Sequence, residues 1–168
     1  MSTWASIALW VVLLLVAFWA MWRGWLRRAR VSEAAVPAIP AVPDELGATR
    51  LGPLEATYVS STTAGDWLDR VAAHDLGNPG AAQVEVHDSG VLLRRRGATD
   101  LFVPAARLRG VGTAPGMAGK FMGGDGLVVL TWDAGADRLL DTGVLVRHRD
   151  ERPALVAAVQ ALIPGEAA

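Results

Sequence analysis

Apolar residues fill the start of the chain almost without interruption and occur further on in short alternating runs. Between Trp4 and Trp22 there is no charged residue, and Ser6 is the only polar one. At about 1.5 Å per residue, a helix of this stretch covers roughly 28 Å, close to the ~30 Å hydrocarbon core of a bilayer. The pattern predicts a transmembrane helix over residues 4–22.

The residues at the two ends of this stretch predict its anchoring and its direction. Indole rings prefer the membrane–water interface, and basic residues that flank a span stay on the cytoplasmic side. A cleaved signal peptide is disfavoured because no basic residue precedes the apolar run. We expect a single-pass protein of the cell membrane, with its N-terminus outside and its C-terminal domain cytoplasmic. The predicted anchor residues are Trp4, Trp19, Trp22, Arg23, Arg27, Arg28 and Arg30.

A basic and then proline-rich segment follows over residues 23–50. Pro37, Pro40 and Pro43 recur at a spacing of three with small or apolar residues between them. This spacing favours an extended, polyproline-like conformation. The segment is interpreted as a semi-rigid tether between the helix and a folded domain.

Alternating apolar and polar positions after Gly52 predict β-strands separated by turns. A short helix over residues 65–77 is the one helical pattern between them, with Trp67 and Val71 on one face. Seven short strands in about a hundred residues indicate a small antiparallel barrel or sandwich. The predicted strands cover residues 54–62, 84–87, 91–95, 101–103, 108–113, 126–132 and 138–146.

The last part of the chain has the pattern of an amphipathic helix. Asp150 is placed to cap it, Pro153 stands in the first turn, and Leu155, Val159 and Leu162 share one apolar stripe. Such a stripe must cover apolar surface, and an open end of the barrel is the expected place. The domain is therefore predicted over residues 51–164, with a tail over 165–168.

Composition narrows the classes of function. The chain has no cysteine, which excludes disulfides, thiolate metal sites and cysteine nucleophiles. Residues 1–32 hold four arginines and no acid, so the other 12 basic and 17 acidic residues leave the rest of the chain at −5. A net acidic domain is a poor candidate for binding nucleic acid, where phosphate contacts dominate affinity.

Two motifs resemble those of enzymes, and both have simpler interpretations. Asp141-Thr142-Gly143 resembles the catalytic loop of an aspartic protease, but no second copy supplies the paired aspartate. Gly143 is better explained as a bulge or a close approach within a strand. Residues 114–120 resemble a phosphate-binding loop without its first glycine, and Phe121 stands where a magnesium-binding hydroxyl would be needed. We predict no enzyme, no catalytic or metal-binding residue, no cofactor and no small-molecule substrate.

Arg94, Arg95 and Arg96 form the most basic run of the predicted domain. They are the candidate interaction surface of this domain. A solvated strand end is the simpler alternative.

Four segments, "HDSGVLLRR", "LFVPAARLRGVG", "GLVVLTW" and "LLDTGVLVRHRDE", occur in this order. They resemble the pleckstrin-homology (PH)-like domain of a family of small actinobacterial membrane proteins with one N-terminal span, often encoded near pyrimidine-biosynthesis genes. The resemblance implies a mainly β protein in which an N-terminal transmembrane helix precedes a seven-stranded PH-like barrel capped by a C-terminal helix.

The expected function is that of a membrane-tethered cytoplasmic module for protein interaction or scaffolding. The expected partners are membrane lipid, through the N-terminal helix, and an unknown protein. The alternatives are a module that senses anionic lipid and an accessory subunit of a membrane transport complex.

Overall fold

The computed structural model describes residues 3–35, 39–121, 126–163 and 165. The chain begins with helix α1 (Thr3–Ala35), which continues through the arginines and into the segment predicted as a tether. The described side chains of α1 are exposed, including those of Trp4, Trp19 and Trp22. The Arg23 guanidinium lies over the Trp19 ring, 5.5 Å from its centroid. The side chains of the predicted anchors Arg27, Arg28 and Arg30 lie outside the described part of the chain.

The prediction of a transmembrane helix over residues 4–22 is not supported by the structure. Within the described part of the chain, no helix has both the length and the hydropathy that a membrane crossing requires. The predicted location and orientation presupposed that span and stay predictions.

Seven strands form one antiparallel sheet, as the alternating pattern predicts. Their order in the sheet is β4-β3-β2-β1-β9-β8-β5, and two further short strands, β6 and β7, pair with each other. The strands are β1 (Thr49–Thr63), β2 (Gly80–His87), β3 (Gly90–Arg95), β4 (Leu101–Pro104), β5 (Leu108–Ala114), β6 (Gly116–Met117), β7 (Lys120–Phe121), β8 (Leu127–Asp133) and β9 (Leu139–Val146).

Strand β1 is the longest strand and belongs to both halves of the sheet. Its residues up to Tyr58 pair with β2, and its residues from Ala56 onward pair with β9. The two edge strands, β4 and β5, are joined by a short 3-10 turn, Ala105–Arg107, so the sheet curves around a single interior. Alternate residues of the strands point into that interior, where Trp132 and Leu130 are buried.

The C-terminal helix forms as predicted and packs on this interior. Helix α2 (Arg152–Gln160) contacts β1, β2 and β5, with Leu155 and Val159 buried. Asp150 does not cap it: the residue that precedes the helix is Glu151, which makes no capping bond through its side chain. Residues 149–151 instead form a 3-10 turn that leads into the helix.

The helix predicted over residues 65–77 does not form, apart from a 3-10 turn at Ala73–Asp75. The segment runs back along the end of β1, where the Val71 amide donates to the Ser61 carbonyl and the Ser61 amide to the Leu76 carbonyl. The Asp66 carboxylate accepts bonds from the Leu68 and Asp69 amides, which makes a tight turn in place of a first helical turn.

The segment before β1 and the loop after β5 are both more ordered than predicted. In the first, Ile39 packs against the core, and the Leu46 carbonyl accepts a bond from the Ser89 amide in the β2–β3 turn. In the second, β6 and β7 form a small hairpin whose Ala118 amide donates to the Trp67 carbonyl.

Candidate functional site

The predicted interaction surface Arg94–Arg95–Arg96 is divided by the alternation of strand β3. Successive side chains of a strand point to opposite faces, so Arg94 and Arg96 are exposed while Arg95 is 6% exposed and points inward. The prediction that Arg95 belongs to the surface is therefore corrected: its side chain lies in the interior. Arg94 and Arg96 remain candidates for contact with a partner.

Arg95 is held in the interior by hydrogen bonds to backbone carbonyl groups. It donates to the carbonyls of Thr99, Asp75 and His74, at 2.7, 2.9 and 3.2 Å. Its guanidinium lies 4.8 Å from the centroid of the Tyr58 ring. These contacts join β3 to the 3-10 turn at Ala73–Asp75. The role of Arg95 is therefore structural.

Tyr58 continues this buried polar network toward β9. Its hydroxyl donates to the Leu76 carbonyl at 2.7 Å and shares a 2.8 Å hydrogen bond with the Ser61 hydroxyl. Burial raises the pKa of Tyr58 to about 12. The Ser61 hydroxyl also lies 2.7 Å from that of Thr142, which accepts a bond from the Trp132 indole.

The protease-like motif is part of the same framework. The buried Asp141 carboxylate accepts a 2.6 Å bond from the Thr131 hydroxyl and a 3.2 Å bond from the Gly65 amide. A Cβ added to Gly143 would lie 2.8 Å from Leu127 Cδ2 and 2.9 Å from Met117 Sδ, which confirms a close approach at this glycine. The motif thus connects β9 to its neighbours.

The described residues also bear on the metal and phosphate alternatives. Among the residues that the structure describes, no group of three histidine and acidic side chains is placed to hold a metal ion. Most of the phosphate-loop resemblance at residues 114–120 is taken up by β6, β7 and the turn between them.

Arg94 is exposed, and its ion pairs orient it. Its Nε donates to Glu85 Oε1 at 2.7 Å, while Nε2 of the buried His87 lies 2.9 Å from Glu85 Oε2. Burial raises the pKa of Glu85, but the bonds from Arg94 and His87 outweigh it and hold the pKa below its usual value. The bond to Glu85 raises the pKa of Arg94 in turn.

Arg94 and Arg96 form one rim of a cleft on the outer face of the sheet. The cleft has a volume of about 780 Å³. We call it the arginine cleft, because six arginines and one acidic residue are among the residues that line it. These residues are Glu55, Ala56, Thr57, Ala81, Ala82, Gln83, Arg94, Arg95, Arg96, Gly126, Leu145, Val146, Arg147, Arg149 and Arg152.

The register of the sheet places four of these residues in a row across four strands. Arg94 pairs with Gln83, Gln83 pairs with Glu55, and the Arg147 amide donates to the Glu55 carbonyl at 2.9 Å. Neighbouring strands lie about 4.8 Å apart, so the Cα atoms at the two ends of this row are about 14 Å apart.

A second, parallel row consists mainly of small side chains. The Arg96 amide donates to the Ala81 carbonyl, Ala81 pairs with Thr57, and Thr57 pairs with Leu145. Along this second row the floor of the cleft is low, whereas Gln83 and Glu55 line the first row between the two basic rims. One rim is Arg94 and Arg96, and the opposite rim is Arg147 and Arg149.

Each rim has one arginine that is ion-paired and one that is not. Arg94 pairs with Glu85, and Arg147 lies 3.3 Å from Glu55 in an exposed pair that contributes little stability. Arg96 and Arg149 are exposed, and no described residue forms an ion pair or a hydrogen bond with either side chain. The chain outside residues 1–32 has a net charge of −5, yet it carries this locally basic concave surface.

The sequence alone did not identify Arg147 and Arg149 as site residues. They lie in "VRHRDER", between β9 and α2, more than fifty residues after Arg94. The alternation of β9 indicates that Arg147 points to the same face as Leu145, but only the pairing of β1 with both β2 and β9 brings it opposite Arg94.

Comparison with known proteins supports the fold. The sequence model of a family described as bacterial PH domain-like matches residues 36–160. The search of the curated proteins found no match. PH-like domains are generally non-catalytic and act as modules for protein or lipid interaction.

Proposed function

Because the chain belongs to the bacterial PH domain-like family, we propose that it is a protein-interaction module and that the arginine cleft is its contact surface. One observation carries the proposal: Arg96 and Arg149 lie exposed on opposite rims of a low-floored cleft, without a partner among the described residues. A protein partner that offers carboxylates would supply the missing interactions.

The chemistry of arginine fits this role. The planar guanidinium presents its donors in a fixed fork that matches a carboxylate, and arginine is enriched among the residues that dominate interface energies. The neighbouring arginines on each rim, Arg94 and Arg147, are already oriented by Glu85 and Glu55. A partner therefore meets two rims that are partly fixed before it binds.

The concave shape favours a protein over an anionic membrane surface. A flat layer of head groups would touch the two rims and leave the floor at Thr57 and Ala81 uncovered, whereas a protruding peptide segment would fill it. Binding to lipid remains the alternative, and the crosslinking experiment below would reveal it as adducts to lipid. No observation favours the transport-complex alternative.

Photo-crosslinking from the floor of the cleft tests the proposal. A photoreactive phenylalanine replaces Gln83, which is exposed between the rims, and in a second variant it replaces Thr113, which is exposed on β5. We expect protein adducts from position 83 in cells that are absent from position 113. They should disappear in the double variant Arg96→Glu, Arg149→Glu.

Arg138→Glu is the matched control for the charge reversals. Arg138 is a half-exposed arginine at the opposite end of β9, about 30 Å from Arg147 along the strand. This variant should leave the adducts unchanged. The proposal would be contradicted by equal adducts from positions 83 and 113, or by adducts from position 83 to lipid alone.

A further inference from the structure

The arginine cleft crosses the strands, and this direction limits how a ligand can bind. Strands β1 and β2 under the cleft are each paired on both sides, so they offer no free edge to which a ligand strand can be added. Recognition must come from side chains. A ligand that reaches both rims must extend over the roughly 14 Å between the strand positions of Arg94 and Arg147.

An extended peptide covers this distance in four residues. At about 3.4 Å per residue, positions i and i+4 lie about 14 Å apart. Because side chains of an extended chain alternate between two faces, these positions also point the same way. A helix would need about nine residues for the same distance, and it is wider than an extended chain.

The charges along the cleft define what the peptide carries. Arg96 and Arg149, one on each rim, are the cations without a described partner. Between the rims lie Thr57, Ala81 and the acidic Glu55, which repels a carboxylate at the centre. The cleft therefore suits acids at both ends of the segment and small neutral residues in the middle.

We propose that the arginine cleft binds an extended acidic peptide segment with two carboxylates four residues apart, one held at the rim of Arg94 and Arg96 and the other at the rim of Arg147 and Arg149. The proposal rests on the proposed function, since it specifies the partner of the same surface. A free phosphate group reaches one rim only, so it does not use both arginines.

Binding of defined peptides to the full chain tests the spacing. Three fluorescent heptapeptides of identical composition carry two glutamates among serine and threonine: TESTSET, with the glutamates four residues apart, and rearrangements with them two apart or adjacent. The full chain is kept in a neutral detergent, because α1 exposes apolar side chains. We expect the first peptide to bind about tenfold more tightly than the adjacent-glutamate peptide. The adjacent glutamates reach only one rim, so that peptide loses one charge-assisted contact.

Variants then assign the contacts. Arg96→Gln and Arg149→Gln should each weaken the first peptide about tenfold and abolish its advantage, while Arg138→Gln leaves it unchanged. Circular dichroism confirms that each variant is folded. Since both residues are exposed, neither change should alter the fold.

Three outcomes would overturn the inference. The first is equal affinity for the three peptides while position 83 still yields protein adducts, which rejects the spacing and leaves the proposed function intact. The second is displacement of the peptide by inorganic phosphate, or by vesicles of phosphatidylglycerol, at equal charge concentration. The third is the absence of peptide binding together with the absence of protein adducts, which rejects both proposals.

Discussion

Arg95 is a buried arginine whose side-chain hydrogen bonds go to three backbone carbonyl groups. A sequence run of three arginines suggests a basic surface, yet this middle one connects β3 to the turn before β2. Its neighbour Arg96 makes no such contact. The two residues therefore allow a direct comparison of an arginine that stabilises the fold with one that is available to a partner.

We expect Arg95→Met to lower the free energy of unfolding by about 2–4 kcal/mol, because it removes three partly buried hydrogen bonds to carbonyl groups and the contact with the Tyr58 ring. Arg96→Met, the matched surface change, should alter it by less than about 0.5 kcal/mol. Urea denaturation followed by circular dichroism measures both values. Equal effects of the two substitutions would show that Arg95 is not the structural residue described above.

Tyr58 provides a test by pH, since it is the only tyrosine of the chain. Burial raises its pKa to about 12 from an ordinary value of 10.0. The folded state therefore keeps the phenol proton more strongly than the unfolded state does. Stability from this group is complete below pH 10 and is lost as the pH rises toward about 12.

The absorbance of tyrosinate in the near ultraviolet should accordingly report a midpoint near pH 12 in the folded chain, and near 10 in denaturant. The free energy of unfolding should also fall more steeply across this range in the unmodified chain than in Tyr58→Phe. A midpoint near 10 in both states would mean that the hydroxyl is exposed to solvent.

Strand β9 is approached closely at Gly143 by side chains of β8 and β6. Gly143 makes this possible, because a side chain there would meet Leu127 and Met117. The alternating pattern predicted β9 correctly, and the glycine within it was interpreted as a bulge or a close approach. Only the position of β6, which the sequence did not predict, identifies what approaches it.

Gly143→Ala should lower the free energy of unfolding by about 1–3 kcal/mol, since the added methyl group overlaps the side chains of Leu127 and Met117. Gly112→Ala on β5 is the control: the added Cβ meets nothing within 4 Å, so this variant should be nearly neutral. Thermal unfolding of the two variants measures the difference. In the Met117→Ala background Gly143→Ala should cost less stability than in the unmodified chain, and an equal cost in both would contradict the proposed contact.

Most strands and helix α2 could be predicted because local alternation and apolar stripes are properties of short segments. The helix predicted over residues 65–77 failed for a physical reason: Val71 and Leu76 are buried by pairing with the end of β1, a partner that local periodicity does not reveal. The arginine cleft was beyond prediction for the same reason. Its rows combine four strands, and their register depends on contacts between residues some 90 positions apart.

The molecule as a whole has an acidic domain with one basic concave surface, so its binding and its folding should respond differently to salt. Raising the ionic strength from about 0.05 to 0.5 M shortens the Debye length to a few ångström. The affinity of the full chain for the peptide TESTSET should then fall severalfold. The free energy of unfolding should change little, because the exposed ion pairs contribute little to stability. A binding signal that is insensitive to salt would argue against recognition by the rim arginines.

Strand β1 belongs to both halves of the sheet, and this has a consequence for the newly made protein. A ribosome that has released the chain as far as β4 has supplied one rim, Arg94 and Arg96, with β1 and β2 beside it. The opposite rim, Arg147 and Arg149, follows β9 and arrives some 45 residues later. An unfinished chain therefore presents only half of the cleft, and a partner that needs both rims can distinguish finished molecules from those still being synthesised.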